Sequence, residues 1–506
     1  MTDRSRIRCD ALADRVMPAE DAAAFIASGD HVGMSGFTGS GHPKAVPAAL
    51  AGRVTEAAAR GDRFTVSVWS GSSTAPELDG ALAAVDGIDL RMPYQSDPVS
   101  RAKINAGLLD YVDVHLSHVA QMVWEGFFGH LDVALVEVAG ITADGALMPS
   151  SSVGNNPTWI DMADRVILEV NSWQPIELEG MHDIYYGSAL PPRRKPIQIL
   201  EPSDRIGVPH LRCPPQKIIA VVPTHSPDYS APSRPPDGDS QLIAGHVLDF
   251  LAHEVRRGRL PATLPPLQSG VGNITNAVLA GFHGGAFPPL TAYTEVIQDG
   301  MLQLLRSGTM TIASATGFSL TDDGIADLRA NIASYRRQII LRPQEISNHP
   351  EVIRRLGCLS MNGMIEADIY GNVNSTHIMG SSMHNGIGGS GDFARNAYLA
   401  MFLSPSTAKN GAISCIVPMA SHVDHTEHDV HVIVTEQGIA DLRGLPPRRR
   451  AQQIIDHCAH PDYRPALRDY LDRATATGPG KHTPHLLEEA LSWHVRYLHD
   501  GTMRPL

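Results

Sequence analysis

An α/β fold in two tandem domains is what this sequence predicts, and three patterns carry the prediction. Short runs rich in β-branched residues alternate with alanine- and leucine-rich runs at helical spacing. Glycine clusters stand where one kind of run gives way to the other. A single proline-rich stretch, 223–239, divides the 506 residues. Apolar strands alternating with helices belong to sheets covered on both faces, and 506 residues exceed what one ordinary core accommodates.

Taken in order, residues 31–37 read as a strand entering a glycine turn, and 44–60 as a helix with Ala and Leu at helical spacing. Further strands are expected at 64–69, 133–138 and 166–170. Pro227, Pro232, Pro235 and Pro236, set among Ser and Asp, favour extended chain and resist helix. This places the domain boundary at 228/229, giving domains 1–228 and 229–506. The second opens on an amphipathic helix, 241–259, and continues with strands at 309–313, 338–341 and 413–417. After Gly438 the chain is expected to be mainly helical. A faint internal echo links 140–145, followed by Ser151 to Asn155, with 366–372, followed by Asn374 and Ser375; it suggests two copies of one α/β unit with a site at their interface.

Composition narrows the function. Hydrophobic residues make up 43% and charged residues 19%, the balance of a globular chain, and the net charge of −13 disfavours a non-specific grip on nucleic acid or anionic membrane. The N-terminal residues lack the apolar core of a secretory signal, and no segment reaches membrane-spanning length, so a cytoplasmic, unanchored protein is expected. Cys9, Cys213, Cys358, Cys415 and Cys458 are scattered with no C-x-x-C pair, which indicates reduced thiols and no cysteine zinc site.

The segment from Tyr293 to Gly300 places Glu295 in a strand-like, mostly apolar run between two glycine-rich segments, 270–273 and 388–392. A strand glutamate is usually solvated or half of an ion pair. A carboxylate shielded from water and close to backbone N–H donors can instead act as a covalent nucleophile, and its acyl anhydride requires a dry site. Gly270, Val271, Gly272, Asn273 and Ile274 form a turn running into a helix. It is either a purely structural turn or a close approach of backbone to a phosphate-bearing ligand; Thr275 stands where a dinucleotide fingerprint needs its third glycine. The run 385–396, from Asn385 through Gly388, Gly389 and Gly391 to Asn396, carries enough glycine to point N–H groups at a common centre, as an oxyanion hole requires. Asp392 excludes the G-x-S-x-G elbow.

His422, His425, His428 and His431 recur every third residue. The first three meet helical metal-ligand spacing, but Val430, Val432 and Val434 alternate as a strand does, and a hydrogen-bonded polar entry into that strand is the preferred reading. No metal is expected. Glu436, where this strand meets a turn, is a second carboxylate with several readings: general base, loop-positioning group or helix-start acid. Arg448, Arg449 and Arg450 read by default as a solvated helix face, with nucleotide phosphates as the alternative.

Together these residues resemble coenzyme A transferase family I, in its acetyl-CoA hydrolase/transferase branch. The resemblance covers nearly the whole chain. It rests on Ser35-Gly36-Phe37 with Gly41-His42-Pro43, 152–157 (Ser-Val-Gly-Asn-Asn-Pro), 268–273, Tyr293-Thr294-Glu295, Asn348-His349-Pro350, 388–396 and 434–438, in this order and spacing. It implies two tandem CoA-transferase (NagB-like) α/β domains with the active site at their interface, a homodimer, and no metal or redox cofactor. It further implies that Glu295 forms a glutamyl-CoA thioester. Gly270 to Ile274, Asn385, Gly389 and Lys409 would bind CoA, with the Gly389 N–H also an oxyanion donor. Asn348 would hold the acyl oxygen, and Glu436 would respond to closure around CoA. The implied activity moves CoA between small carboxylic acids, with succinyl-CoA and acetate the expected pair; the alternatives are acetyl-CoA hydrolysis or a non-catalytic CoA-binding role. The sequence leaves open whether an arginine such as Arg234 meets a substrate carboxylate.

Overall fold

A computed structural model describes residues 4–232, 235–285, 287 and 289–504. The chain forms two compact units, neither of them one continuous stretch. The first comprises Met1–Ser233, Thr291–Arg306 and Met310–Leu356; the second comprises Arg234–Leu290, Ser307–Thr309 and Gly357–Leu506. These units group the chain differently from the expected domains 1–228 and 229–506. Residues 226–232 do not behave as a free linker. The Ser226 N–H bonds Asn171 Oδ1 at 3.1 Å, Tyr229 N–H bonds the Gly39 carbonyl at 3.1 Å, and Ala231 N–H bonds the Leu320 carbonyl at 2.8 Å. Asp228 accepts from Lys44 Nζ at 2.9 Å, and Lys44 also meets Glu137 at 2.6 Å, all three side chains being buried. The stretch 291–356, expected in the second domain, packs with the first unit. Val153 N–H donates to the Thr316 carbonyl at 2.8 Å, Asp183 N–H to the Leu341 carbonyl at 2.8 Å, and the buried Arg342 and Asp183 form an ion pair.

The main sheet of the first unit contains β1 (His31–Met34), β2 (Val66–Trp69), β3 (Ile88–Met92), β4 (Asp110–Tyr111), β5 (Val133–Ile141), β6 (Leu147–Pro149), β7 (Arg165–Asn171) and β8 (Ile218–Thr224). Their order is β4-β3-β2-β1-β5-β7-β8, with β6 on β5. Neighbouring strands in this order run parallel, and β6 pairs antiparallel with β5. All nine residues of β5 are buried, the signature of a central parallel strand covered on both faces. Helix Ala45–Ala59 buries Val46, Leu50, Val54 and Ala57, and Val46 and Leu50 share one core with Val32, Val68 and Val133 of this sheet. Its N-terminus is closed by the Glu169 carboxylate, which accepts the N–H groups of Lys44 (2.8 Å), Ala45 (3.2 Å) and Val46 (2.6 Å). In the later part of this unit, strand Met310–Ala315 lies between Leu290–Tyr293 and Ile339–Leu341, the latter parallel to it.

The second unit holds strands Leu267–Ser269, Leu359–Gly363, Leu399–Leu403, Val432–Thr435 and Gly438–Asp441 in that spatial order. The first four run parallel and the last returns antiparallel. Helix Gly238–Arg256 starts at Asp237, whose carboxylate accepts the Ser240 N–H at 2.8 Å, and buries Ile243, Val247 and Leu251 at helical intervals. Three sequence expectations change here. The run 413–417 is two short strands, Ile413–Ser414 and Ile416–Val417; Gly438–Asp441 is a strand; and Arg450 points inward, 7% exposed, donating to the carbonyls of Tyr370 (2.8 Å) and Glu427 (2.9 Å). The internal echo has a structural counterpart: Ile141 faces Leu147 and Glu366 faces Asn374 in antiparallel pairs, with left-handed Gly145 and Gly371 in the intervening turns.

Candidate active site

Glu295 does not lie inside a continuous strand. Leu290–Tyr293 ends, Thr294 and Glu295 bridge a break, and Val296–Gln298 joins a different sheet beside Gly317–Ser319 before a helix begins at Asp299. The break is held on both sides. Thr294 N–H donates to the Ser314 carbonyl at 2.9 Å, and the Glu295 carbonyl accepts Thr316 N–H at 2.8 Å. The predicted partner Asn348 is fully buried, and its Nδ2 donates to Glu295 Oε1 at 2.9 Å. Its orientation follows from its other atom, since Oδ1 accepts the Ser347 hydroxyl at 2.8 Å. Asn348 itself closes the short helix Gln344–Ser347. The buried Tyr293 hydroxyl donates to the Ile346 carbonyl, and Gln344 N–H to the Gly154 carbonyl at 2.9 Å. The residues at 152–157, 293–295 and 344–348 are thereby one hydrogen-bonded assembly. Glu345 in the same helix is buried, and burial pushes its carboxyl up to about 7.

In the second unit the predicted residues gather at the carboxyl edge of the parallel strands, where α/β sheets place their ligands. The 270–272 turn directly follows Leu267–Ser269 and opens helix Asn273–Gly281. Thr275, where the dinucleotide fingerprint fails, is what holds this turn: its hydroxyl lies 2.7 Å from the Gly270 carbonyl and 3.0 Å from that of Gly272. Val271 at the tip is 60% exposed. Below it, Gln268 and Asn362 exchange two amide hydrogen bonds of 3.1 Å.

Gly388 and Gly389 are buried, and Gly389 caps helix Ser390–Asn396. Asn385 Nδ2 donates to the carbonyls of Ser375 (3.1 Å) and Gly386 (3.0 Å). Lys409 is exposed, at the tip of the hairpin joining Thr407–Ala408 to Ile413–Ser414, where Lys409 and Asn410 both take left-handed backbone. Glu436 sits in the two-residue turn between Val432–Thr435 and Gly438–Asp441. Burial pushes its carboxyl up, but the Ser406 hydroxyl, the Gln437 amide (2.9 Å) and the Ser406 N–H (2.7 Å) outweigh this and hold it below the usual carboxylate range.

The four histidines do not converge. His422 Nε2 lies 3.2 Å from Asp424, His428 Nδ1 lies 3.3 Å from the Thr426 hydroxyl, and His431 Nδ1 accepts the Ala400 N–H at 3.1 Å. Arg234 lies outside the described residues. Ser347 and Ser406, which orient the two carboxylate sites, were not singled out from sequence. Ser406 stands thirty positions from Glu436, and only the sheet order brings them together.

Comparison with known proteins assigns the family. Residues 3–223 match the acetyl-CoA hydrolase/transferase N-terminal domain, and 324–471 match the C-terminal domain of the same name. The succinyl-CoA:acetate CoA-transferase of Clostridium kluyveri is 49% identical over 99% of this chain and 92% of its own. An acetyl-CoA hydrolase of Schizosaccharomyces pombe is 44% identical over 99% of this chain and 98% of its own. The structure of a 4-hydroxybutyrate CoA-transferase from Porphyromonas gingivalis shares the fold, with a TM-score of 0.63, 22% identity and coverage of 91% and 98% of the two chains. With both domains matched and nearly half its residues identical to those of a full-length relative, the chain belongs to the acetyl-CoA hydrolase/transferase family.

Proposed function

We propose that this protein transfers coenzyme A between small carboxylic acids, with succinyl-CoA as donor and acetate as acceptor, through a thioester on Glu295. A Glu295 oxygen attacks the thioester carbonyl and CoA thiolate leaves, giving an acyl-glutamyl anhydride. The thiolate then adds to the glutamyl carbonyl and expels succinate. Acetate repeats the two steps in reverse and departs as acetyl-CoA, so kinetics are ping-pong. No electrons are exchanged with an external acceptor, and the carboxylate supplies the nucleophile, so the sequence of steps calls for neither a redox cofactor nor a metal.

The observation that carries this reading is the 2.9 Å hydrogen bond from Asn348 Nδ2 to Glu295 Oε1. When thiolate adds to the glutamyl carbonyl, negative charge develops on that same kind of oxygen. A donor already 2.9 Å away lies within the roughly 2.7–3.1 Å range of an effective oxyanion donor. Asn348 thus acts on the enzyme's own carbonyl, while Gly389 N–H serves the acyl carbonyl. The 270–274 turn, Asn385 and Lys409 take the CoA chain and its phosphates, with Glu436 fixing the edge on which they sit. A cytoplasmic homodimer completes the proposal. Among the described residues no helix is long and apolar enough to cross a membrane.

Intact-mass measurement after adding succinyl-CoA without acceptor tests the chemistry. The wild type should gain one CoA, lose it on borohydride treatment, and show none in Glu295→Ala. Hydrolysis, the activity named for the S. pombe relative, would be the same intermediate intercepted by water. Succinyl-CoA breakdown without acetate as fast as transfer with it would favour that reading.

A further inference from the structure

Of the four histidines spaced three apart, His425 is placed unlike the others. It is 2% exposed, its ring lies 4.7 Å from that of Phe402 in strand Leu399–Leu403, and its backbone pairs with Val373 in both directions, at 2.8 and 3.0 Å. Its Nε2 lies 3.2 Å from Ser390 Oγ and 3.3 Å from Ser375 Oγ. Ser390 settles the direction, since its hydroxyl donates to the Ile387 carbonyl at 2.7 Å, closer than the ring; Ser375 Oγ then has Asp424 Oδ2, at 3.3 Å, for its own hydrogen. A hydroxyl has one hydrogen, so both oxygens meet the ring as acceptors and Nε2 carries the proton, a tautomer assigned by its partners.

One imidazole N–H therefore joins the two sides of the glycine turn. Ser390 immediately follows Gly389 and closes the 387–390 turn, while the Ser375 carbonyl receives the Asn385 side chain at 3.1 Å. Gly388 is left-handed at φ +57. Glycine supplies that conformation without strain but does nothing to lock it, and a backbone donor stabilises developing charge only if its direction is fixed beforehand.

We infer that His425 is a positioning residue for acyl transfer: through Ser390 and Ser375 its Nε2–H fixes the 385–390 turn and with it the direction of the Gly389 N–H. The inference rests on the proposed CoA-transferase reading. It gives one member of the histidine series a role in holding the turn and leaves its neighbours at 422, 428 and 431 outside that role.

The test is single-turnover formation of the CoA adduct, with the rate normalised to active sites counted from the final adduct amplitude. Ser390→Ala and His425→Leu should each slow that rate about tenfold, with the KM for acyl-CoA within about twofold of wild type, as loss of a preorganising contact rather than of binding predicts. The double variant should be no slower than the slower single, because the two residues act through one contact. His425→Gln, which keeps an N–H of similar reach, should recover to within about threefold of wild type, and His428→Gln should match it. A merely structural role would lower thermal stability and adduct amplitude but leave the normalised rate unchanged. If His425→Leu fails to fold, Ser390→Ala and His425→Gln carry the comparison. Wild-type normalised rates in Ser390→Ala, or additive losses in the double variant, overturn the inference. Absence of any adduct in the wild type would instead overturn the CoA-transferase reading.

Discussion

Glu295 and Glu436 were the two carboxylates the sequence offered, and each lies just past the end of a strand, yet their surroundings differ in kind. Glu436 is gripped at both oxygens by the Ser406 N–H, the Ser406 hydroxyl and the Gln437 amide, and its carboxyl is held below the usual range. A carboxylate stabilised in this way is a good anchor and a poor nucleophile. Glu295 is met at Oε1 by an amide that Ser347 has already oriented. Once Glu295 is acylated that oxygen belongs to a neutral carbonyl, and the same donor meets the negative charge that develops there when the tetrahedral oxyanion forms. Catalysis needs interactions that strengthen toward the transition state, and the Glu295 setting offers one where the Glu436 setting spends its donors on the ground state.

The comparison breaks most sharply at the nucleophile. Glu295→Ala should lower turnover by about 10³-fold or more and abolish the CoA adduct, since no general-base role would leave a covalent mark. Turnover near that of wild type with an adduct elsewhere would transfer the nucleophile to another residue. Next in size, Asn348→Ala should cost about 10²–10³-fold in kcat, the loss typical of one oxyanion donor. The adduct should still form, but slowly; an unchanged rate would mean that the hydrogen bond to Glu295 matters only in the resting protein.

Much of this was legible in residues and some was not. The alternation of strand and helix and the turn after Leu267–Ser269 follow from local chemistry, because β-branched runs and glycine clusters impose their geometry over a few residues; the strand-like run expected around Glu295 is instead broken at that residue. The unit boundaries were not legible. Nothing in 291–356 shows that its strands pair their ends with Val153 and Asp183, contacts that span more than 150 positions. The orientation of Asn348 by Ser347 is invisible for the opposite reason: adjacent serine and asparagine are common, and only the fold decides whether they point at the same carboxylate. Arg450 shows the limit of reading charge runs. Three arginines in a row suggest a solvated face, whereas the helical turn carries the third inward onto backbone carbonyls.

The helix that presents Asn348 gives a test in pH. Burial raises the Glu345 carboxyl to about 7 from an ordinary value of 4.5. Below about 4.5 the group is protonated in folded and unfolded chains alike, and its contribution to stability is complete. Between there and about 7 the unfolded chain ionises while the folded one keeps its proton, so stability falls as pH rises and the contribution is gone above the folded value. Glu345→Gln cannot titrate. Unfolding measured at pH 5 and pH 8 should therefore show wild type losing about 2–3 kcal/mol more than the variant over this interval. Equal slopes would mean that Glu345 ionises freely and that the helix near Asn348 is more open to water than its packing indicates.

The smallest expected effect lies at Glu436, and it separates anchoring from chemistry. Glu436→Gln keeps the shape but removes the charge, and it sets an NH2 group against either the Ser406 N–H or the Gln437 amide. Exchanging charged for neutral hydrogen bonds at a half-buried position costs about 1 kcal/mol, or roughly fivefold. That loss should appear in kcat/KM for acyl-CoA, through a turn that positions the carboxyl edge less firmly, while the adduct on Glu295 reaches full amplitude. If the adduct disappears, Glu436 takes part in the covalent step, and the contrast between a saturated anchor and a poised nucleophile fails on its weaker side.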